Sequence, residues 1–257
     1  MKAISRRDLL SQTIAAAGAA AVGLPLVSTS VGASGSASAR KLKVVVVGGH
    51  PDDPESGCGG TIARYTDLGH EVAIIYLTRG EAGIDGRTHA EAAAIRSAEG
   101  QKACEILKAR PVFAGQIDGN TEITPARYAG FRKALEAEKP DIVFTHWPVD
   151  THRDHRAASL LVYDAWIHSK PAFPLYYFEV MTGEQTQQFW PSFHVDITAT
   201  EGRKRAACFA HVSQNPDEWY ALHDQMNRFR GFESGCKYAE AFVRHVQSPG
   251  FEGLPAQ

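Results

Sequence analysis

The chain has 257 residues, 44% of them apolar and 22% charged, with a formal net charge of −2. This is an ordinary globular composition, long enough to bury one sizeable α/β core. The mild acidity gives no electrostatic footprint for nucleic acid or for an anionic membrane surface.

Residues 1–39 read as an export signal. Ser5-Arg6-Arg7-Asp8-Leu9-Leu10 is a twin-arginine pattern, an alanine-rich, mildly apolar run follows over 13–31, and Ala37-Ser38-Ala39 supplies a small-residue cleavage site. Ser, Thr, Gly and Pro25 interrupt that run short of the ~20 residues a membrane span needs. Lys2, Arg6 and Arg7 against Asp8 give the segment a net +2, so removing it from −2 leaves about −4 on residues 40–257. The expectation is export by the twin-arginine pathway to the periplasm or the exterior, with 40–257 a single domain and no stable membrane insertion after signal removal. Cys58, Cys104, Cys208 and Cys236 form no C-x-x-C pair, which argues against a cysteine zinc site and leaves buried free thiols as the plain expectation.

From Lys41 onward short apolar runs alternate with longer amphipathic ones, the pattern of a parallel sheet covered by helices. A strand is expected at 42–47, where four valines run into Gly48 and Gly49, then a helix at 56–68 with Gly69 as its C-terminal cap and a strand at 71–77. The glycine- and charge-rich loop 78–86 follows that strand's carboxyl end, where ligands bind in open α/β sheets. A long helix at 89–109 carries Ala92, Ile95, Ala103, Ile106 and Leu107 near helical spacing. A strand at 111–114, the loop 116–120, a helix at 125–138 and a strand at 141–145 come next, then His146 to His155 and a helix to about 168. The last third is less regular, with strands expected at 175–180 and 193–197, a helix at 200–211 and a mixed tail.

Two ligand-type clusters stand out. His50-Pro51-Asp52-Asp53 follows the first strand, and His152-Arg153-Asp154-His155 follows the fourth, so a parallel sheet brings both to one rim although about a hundred residues separate them. A catalytic zinc takes three protein ligands from His and Asp or Glu and keeps one position open; His50, Asp53 and His155 meet that count. Asp52 is then free to act as general base on a metal-bound water, whose pKa falls to about 7. His152, three residues before His155, is placed to polarise the carbonyl and protonate the leaving amine, with Asp154 orienting it and favouring its imidazolium. Glycines 48, 49, 57, 59 and 60 do not make the dinucleotide-binding spacing, and the inserted aspartates would repel a pyrophosphate.

These residues resemble the LmbE-like (PIG-L) family of zinc-dependent N-acetylglucosamine deacetylases, whose His-Pro-Asp-Asp and His-x-Asp-His motifs match 50–53 and 152–155. The similarity extends through Thr78-Arg79-Gly80-Glu81, Arg96 to Glu99, Asp118-Gly119 and Ala210-His211-Val212-Ser213-Gln214. The resemblance implies a Rossmann-like three-layer α/β sandwich with a mostly parallel sheet. It also implies Zn2+ (or another divalent metal) on His50, Asp53 and His155, Asp52 as base, His152 as acid, and sugar-hydroxyl contacts from Arg79, Glu81, Arg96 and Asp118. The family places Glu directly after the two aspartates; here Pro54 intervenes and Glu55 follows, so the part Glu55 plays is open.

His146, His194, Asp196 and His211 are further polar candidates, weighed against structural roles; Trp147, Trp190, Trp219 and Tyr176-Tyr177-Phe178 offer either a sugar-stacking surface or core. The expected function is metal-dependent removal of an acetyl group from an N-acetylglucosamine-type sugar or conjugate. The competing readings are hydrolysis of another amide-linked conjugate or envelope glycan, and a non-catalytic carbohydrate-binding protein that uses the metal to hold sugar hydroxyls.

Overall fold

The computed structural model describes residues 40–251; the twin-arginine segment lies outside the described residues. The alternation seen in sequence folds as β1 (Lys43–Gly48), α1 (Asp53–Asp67), β2 (Glu71–Tyr76), α2 (His89–Leu107), β3 (Arg110–Phe113), α3 (Pro125–Glu138), β4 (Ile142–His146) and α4 (Arg153–His168). Then come β5 (Leu175–Phe178), β6 (Phe193–Asp196), α5 (Glu201–Cys208), a 3-10 turn (Val212–Gln214), α6 (Pro216–Ser234) and β7 (Ala239–Arg244).

The strands form one seven-stranded sheet in the order β3-β2-β1-β4-β5-β7-β6. The five from β3 to β5 are mutually parallel, whereas β7 runs antiparallel to both β5 and β6. Side chains alternate across a strand, so the valines of β1 divide between two cores. Val44 and Val46 pack with Cys58, Ile62, Ala103, Leu107 and Ala207 from α1, α2 and α5. Val45 and Val47 pack with Phe131, Leu135, Leu161 and Val162 from α3 and α4. Helices on both faces explain why β1 reads as an unbroken apolar run, and the result is the expected three-layer α/β sandwich.

Glycine in α1 is a packing device. A Cβ on Gly60 would lie 2.6 Å from Ile197 Cγ2, so the helix sits closer to the chain after β6 than any side chain would permit. Two elements go beyond the expected set: α6, 19 residues long, and β7 both lie in the tail that reads as mixed. All four cysteines are free. Among the described residues no helix is long and apolar enough to cross a membrane.

Candidate metal centre

Parallel pairing of β1 with β4, with Val47 opposite Thr145, brings the carboxyl ends of these strands side by side and their following segments onto one rim. Pro54 in the first turn favours an early helix start, so α1 begins at Asp53, ahead of the expected 56, with Asp52 as its N-cap. The second motif enters α4 in the same way, with His152 as N-cap.

The Asp53 carboxylate is the hub. Its Oδ2 lies 3.1 Å from His50 Nδ1 and 3.3 Å from His146 Nε2, while Oδ1 lies 3.2 Å from His155 Nε2. One carboxylate thus faces three imidazole nitrogens in a buried site. His155 is fixed from behind by Asp150, whose Oδ1 is 3.1 Å from Nδ1, leaving Nε2 directed at Asp53. His50 is fixed likewise, its Nε2 lying 3.1 Å from Asp118 and 3.2 Å from Asp154. Among the described residues three triads hold their donor atoms within 4.8 Å of one another, His50 with His152 and His155, Asp53 with His146 and His155, and His50 with Asp118 and Asp154, so the expected ligands are shared between overlapping groups, and imidazoles aimed inward by carboxylates behind them fit a divalent cation such as zinc.

The charges follow from this crowding. Burial opposes a charge on His155, but Asp53 and the hydrogen bond with Asp150 outweigh it and lift its pKa to about 9. His50 is held well above the ordinary histidine range because Asp53, Asp118 and Asp154 outweigh its burial. His146 goes the other way, pushed down to about 4 by burial and by His155. It stacks on His155 at 4.0 Å, and its Nε2 accepts the Gly49 N–H at 3.1 Å.

Asp52 has φ 117°, outside the range ordinary side chains prefer, and the surroundings fix it there. Arg96 donates to the Pro51 carbonyl and, at 2.8 Å, to Asp52 Oδ2. Glu55 accepts the Asp52 N–H at 3.2 Å and the Tyr76 hydroxyl at 2.5 Å, and lies 3.3 Å from His211 Nε2. Pro54 therefore leaves Glu55 fully buried as a brace for the Asp52 backbone.

Several expected roles are corrected by where the side chains lie. The Asp154 carboxylate faces His50 and accepts the Gly119 N–H and the Thr121 hydroxyl, each at 2.7 Å. It meets His152 only through its backbone N–H, which donates to His152 Nδ1 at 3.3 Å. Burial and the neighbouring His50 and His155 lower the His152 pKa, so its imidazolium is disfavoured. Of the four residues expected to hold sugar hydroxyls, three make contacts within the protein. Arg96 is 3% exposed against Asp52, Glu81 accepts the N–H groups of Arg79 and Asp118 (both 3.1 Å), and Asp118 binds His50 and the Ala82 N–H. Arg79 alone is exposed, its guanidinium 5.6 Å over Phe113. His194 and Asp196 sit on the edge strand β6, away from this rim. Tyr176 and Phe178 are core.

Two residues gain importance. Asp150 ties the second motif together, accepting the His152 N–H at 2.7 Å and the Thr186 hydroxyl at 3.1 Å besides its contact with His155. A carboxylate two residues before a ligand-type histidine was the available signal. The other is His223 on α6, which lines a cavity of about 150 Å³ beside Asp52 and Asp53. No sequence signal marked it.

The PIG-L: GlcNAc-PI de-N-acetylase family profile matches residues 45–166. Diacetylchitobiose deacetylase of Thermococcus kodakarensis is 32% identical over 235 residues, spanning 79% of this chain and 83% of that protein. The chain belongs to the PIG-L (LmbE-like) deacetylase family. Among solved structures, the N,N'-diacetylchitobiose deacetylase from Pyrococcus horikoshii superposes on this family member with TM-score 0.71 at 26% identity, covering 81% of this chain and 87% of that one. GalB, the 4-carboxy-2-hydroxymuconate hydratase from Pseudomonas putida KT2440, matches with TM-score 0.73 at 23% identity, over 83% and 100% of the two chains. The last likeness concerns the fold alone, which in this family member as elsewhere leaves the reaction to the site.

Proposed function

We propose that this family member is a zinc-dependent hydrolase that removes the acetyl group of an N-acetylglucosamine-type sugar or sugar conjugate. The observation that carries the reading is the convergence of His50, Asp53 and His155, at 3.1 and 3.2 Å about one buried carboxylate, with Asp52 beside them. The names of the relatives support the substrate class. A zinc ion held by these three residues would supply Lewis acidity and lower the pKa of bound water to about 7.

The chain's own groups supply the rest. Asp52, held in place by Arg96, is the general base that takes a proton from the attacking water. The Asp154 N–H donates to His152 Nδ1, so the neutral ring presents Nε2–H to the developing oxyanion, and the proton that Asp52 takes from the water is the one passed to the departing amine. A C–O bond forms, the amide C–N bond breaks, and acetate and free amine leave. Asp150 and Asp154 act as positioning residues for His155 and His50. The twin-arginine pattern at Arg6-Arg7 supports export to the periplasm or the exterior as the place of action.

Two variants test the assignment of roles. Asp52→Asn is expected to keep zinc near one equivalent while losing roughly 10²- to 10⁴-fold in kcat. His155→Ala is expected to lose the metal itself. Zinc content and amine release measured on the same preparations separate the two, and native activity in Asp52→Asn would remove it as the base.

A further inference from the structure

Three stretches that carry the family likeness in sequence, 78–81, 96–99 and 210–214, supply none of the grouped metal donors, yet the fold gathers them beside Asp52. Arg96 and Glu99 lie three residues apart on α2, so their side chains leave one face of the helix. The Glu99 carboxylate accepts the Ser213 N–H at 2.7 Å and the Ser213 hydroxyl at 2.6 Å, which seats the turn Val212–Gln214 on α2. From that seat Gln214 Nε2 donates to the Gly83 carbonyl at 2.9 Å, while the Gln214 carbonyl accepts Trp219 Nε1–H at 3.0 Å. The turn thus ties the rim loop 78–86 to α2 and to α6.

That loop lies directly on the guanidinium of Arg96. A Cβ on Gly83 would stand 2.4 Å from Arg96 Nη1, and one on Gly80 3.0 Å from its Cζ. The Gly83 N–H donates to the Gly80 carbonyl at 3.1 Å, so the tie at Gly83 holds both. Arg96 is 3% exposed and its Nε has no hydrogen-bond partner. Its guanidinium is therefore directed by Pro51 and Asp52 at the far end and by the loop backbone packed against it. A second route starts from the same segment. His211, fully buried, lies 3.3 Å from Glu55, and Glu55 accepts the Asp52 N–H. Backbone at φ 117° persists only where the surroundings over-determine it, and segment 211–214 reaches both the carboxylate and the amide of Asp52.

We propose that residues 211–214 position the general base: Gln214 acts through Gly83 and Arg96 on the Asp52 carboxylate, and His211 acts through Glu55 on the Asp52 backbone. The inference rests on Asp52 being the base of the deacetylase reading. Its size follows from geometry, since a reacting group misplaced by about 1 Å costs on the order of 10²-fold in rate.

The test is amine release from N-acetylglucosamine by zinc-loaded protein, native and as Gln214→Glu, Gly83→Ala, Arg96→Gln and the double variant Gln214→Glu/Arg96→Gln, with zinc content and melting temperature recorded for each. Gln214→Glu keeps the side chain's shape and replaces its donor with an oxygen. It should retain zinc, hold KM within about twofold and lose roughly 10- to 100-fold in kcat. Gly83→Ala, which displaces the guanidinium from the loop side, should lose kcat in the same way. The double variant should be no slower than Arg96→Gln, within about twofold, because a residue that acts through Arg96 has nothing left to position. A residue that only stabilises the fold would lower the melting temperature and slow both backgrounds by the same factor. Should Arg96→Gln fail to fold, Gln214→Glu combined with Gly83→Ala is judged by the same criterion against the slower single variant. Native kcat in Gln214→Glu and Gly83→Ala, or full multiplication of the two losses in the double variant, overturns the positioning role and leaves the deacetylase reading intact. Native activity in Asp52→Asn overturns the base assignment and this inference with it.

Discussion

At the residue scale, the centre is organised by what stands behind its ligands. Asp150 was not singled out in sequence, yet it fixes His155 through Nδ1 and the second motif's backbone through His152. Carboxylates in this position typically contribute 10- to 100-fold in metal affinity. Asp150→Ala is therefore expected to weaken zinc binding by about that factor, measured by competition with a chromophoric chelator; unchanged affinity would show that His155 needs no brace. The ligand-type residues were legible because each motif lies in the segment that leads from an apolar strand into the next helix. The inward aim of Arg96 was not, since its partners Pro51 and Asp52 lie more than forty residues away in sequence and its helix position alone reads as rim. His223 carries its own consequence. A histidine whose folded pKa lies near 3 takes up its proton more readily when unfolded, so its contribution is complete above the unfolded value of about 6.5 and is lost as pH falls towards 3. Metal-free native protein should lose more stability between pH 7.5 and 4.5 than His223→Gln, by about 2 kcal/mol in chemical denaturation. Equal losses would mean that His223 is not held neutral in the fold.

At the scale of elements, the regular first half was legible to within a few residues because β1, β2 and β4 are buried on both faces and α2 and α3 carry threonine caps. Thr124 accepts the Arg127 N–H and Lys139 turns left-handed at the other end, which bounds α3 at 125 and 138, as its sequence suggested. The tail was opaque for a physical reason. The buried face of α6 is Tyr220, His223, Asn227, Arg230 and Gly231, whereas Phe229 and Phe232 point outward, so the helical period is written in polar residues. In β7, Glu240 breaks the apolar pattern, yet it is buried where it accepts the Gly60 and Thr61 N–H groups and pairs with Lys204 at 2.7 Å. The same close approach gives a test of α1. Gly60→Ala should destabilise the protein by about 1–3 kcal/mol through overpacking against Ile197, read as a lowered denaturation midpoint with unchanged slope. A midpoint within error of native would show that the chain after β6 yields freely.

At the scale of the whole molecule, the order of strands does the decisive work. Placing β1 beside β4 turns a hundred-residue separation into a shared carboxylate at 3.2 Å, and placing α6 and β7 beyond β5 adds a wall to the cavity next to it. The parallel half of that topology followed from alternating strands and helices. The antiparallel turn-back of β7 between β5 and β6 did not, because it depends on long-range pairing of a strand whose pattern is masked by a buried charge. The central claim is that this rim is a metal-dependent deacetylase centre. Its most direct test is free-amine release from N-acetylglucosamine compounds by the purified protein, before chelation, after chelation and after zinc is added back. Activity that disappears with the chelator and returns with zinc is the predicted result; release that persists after the metal has been verifiably removed would contradict it.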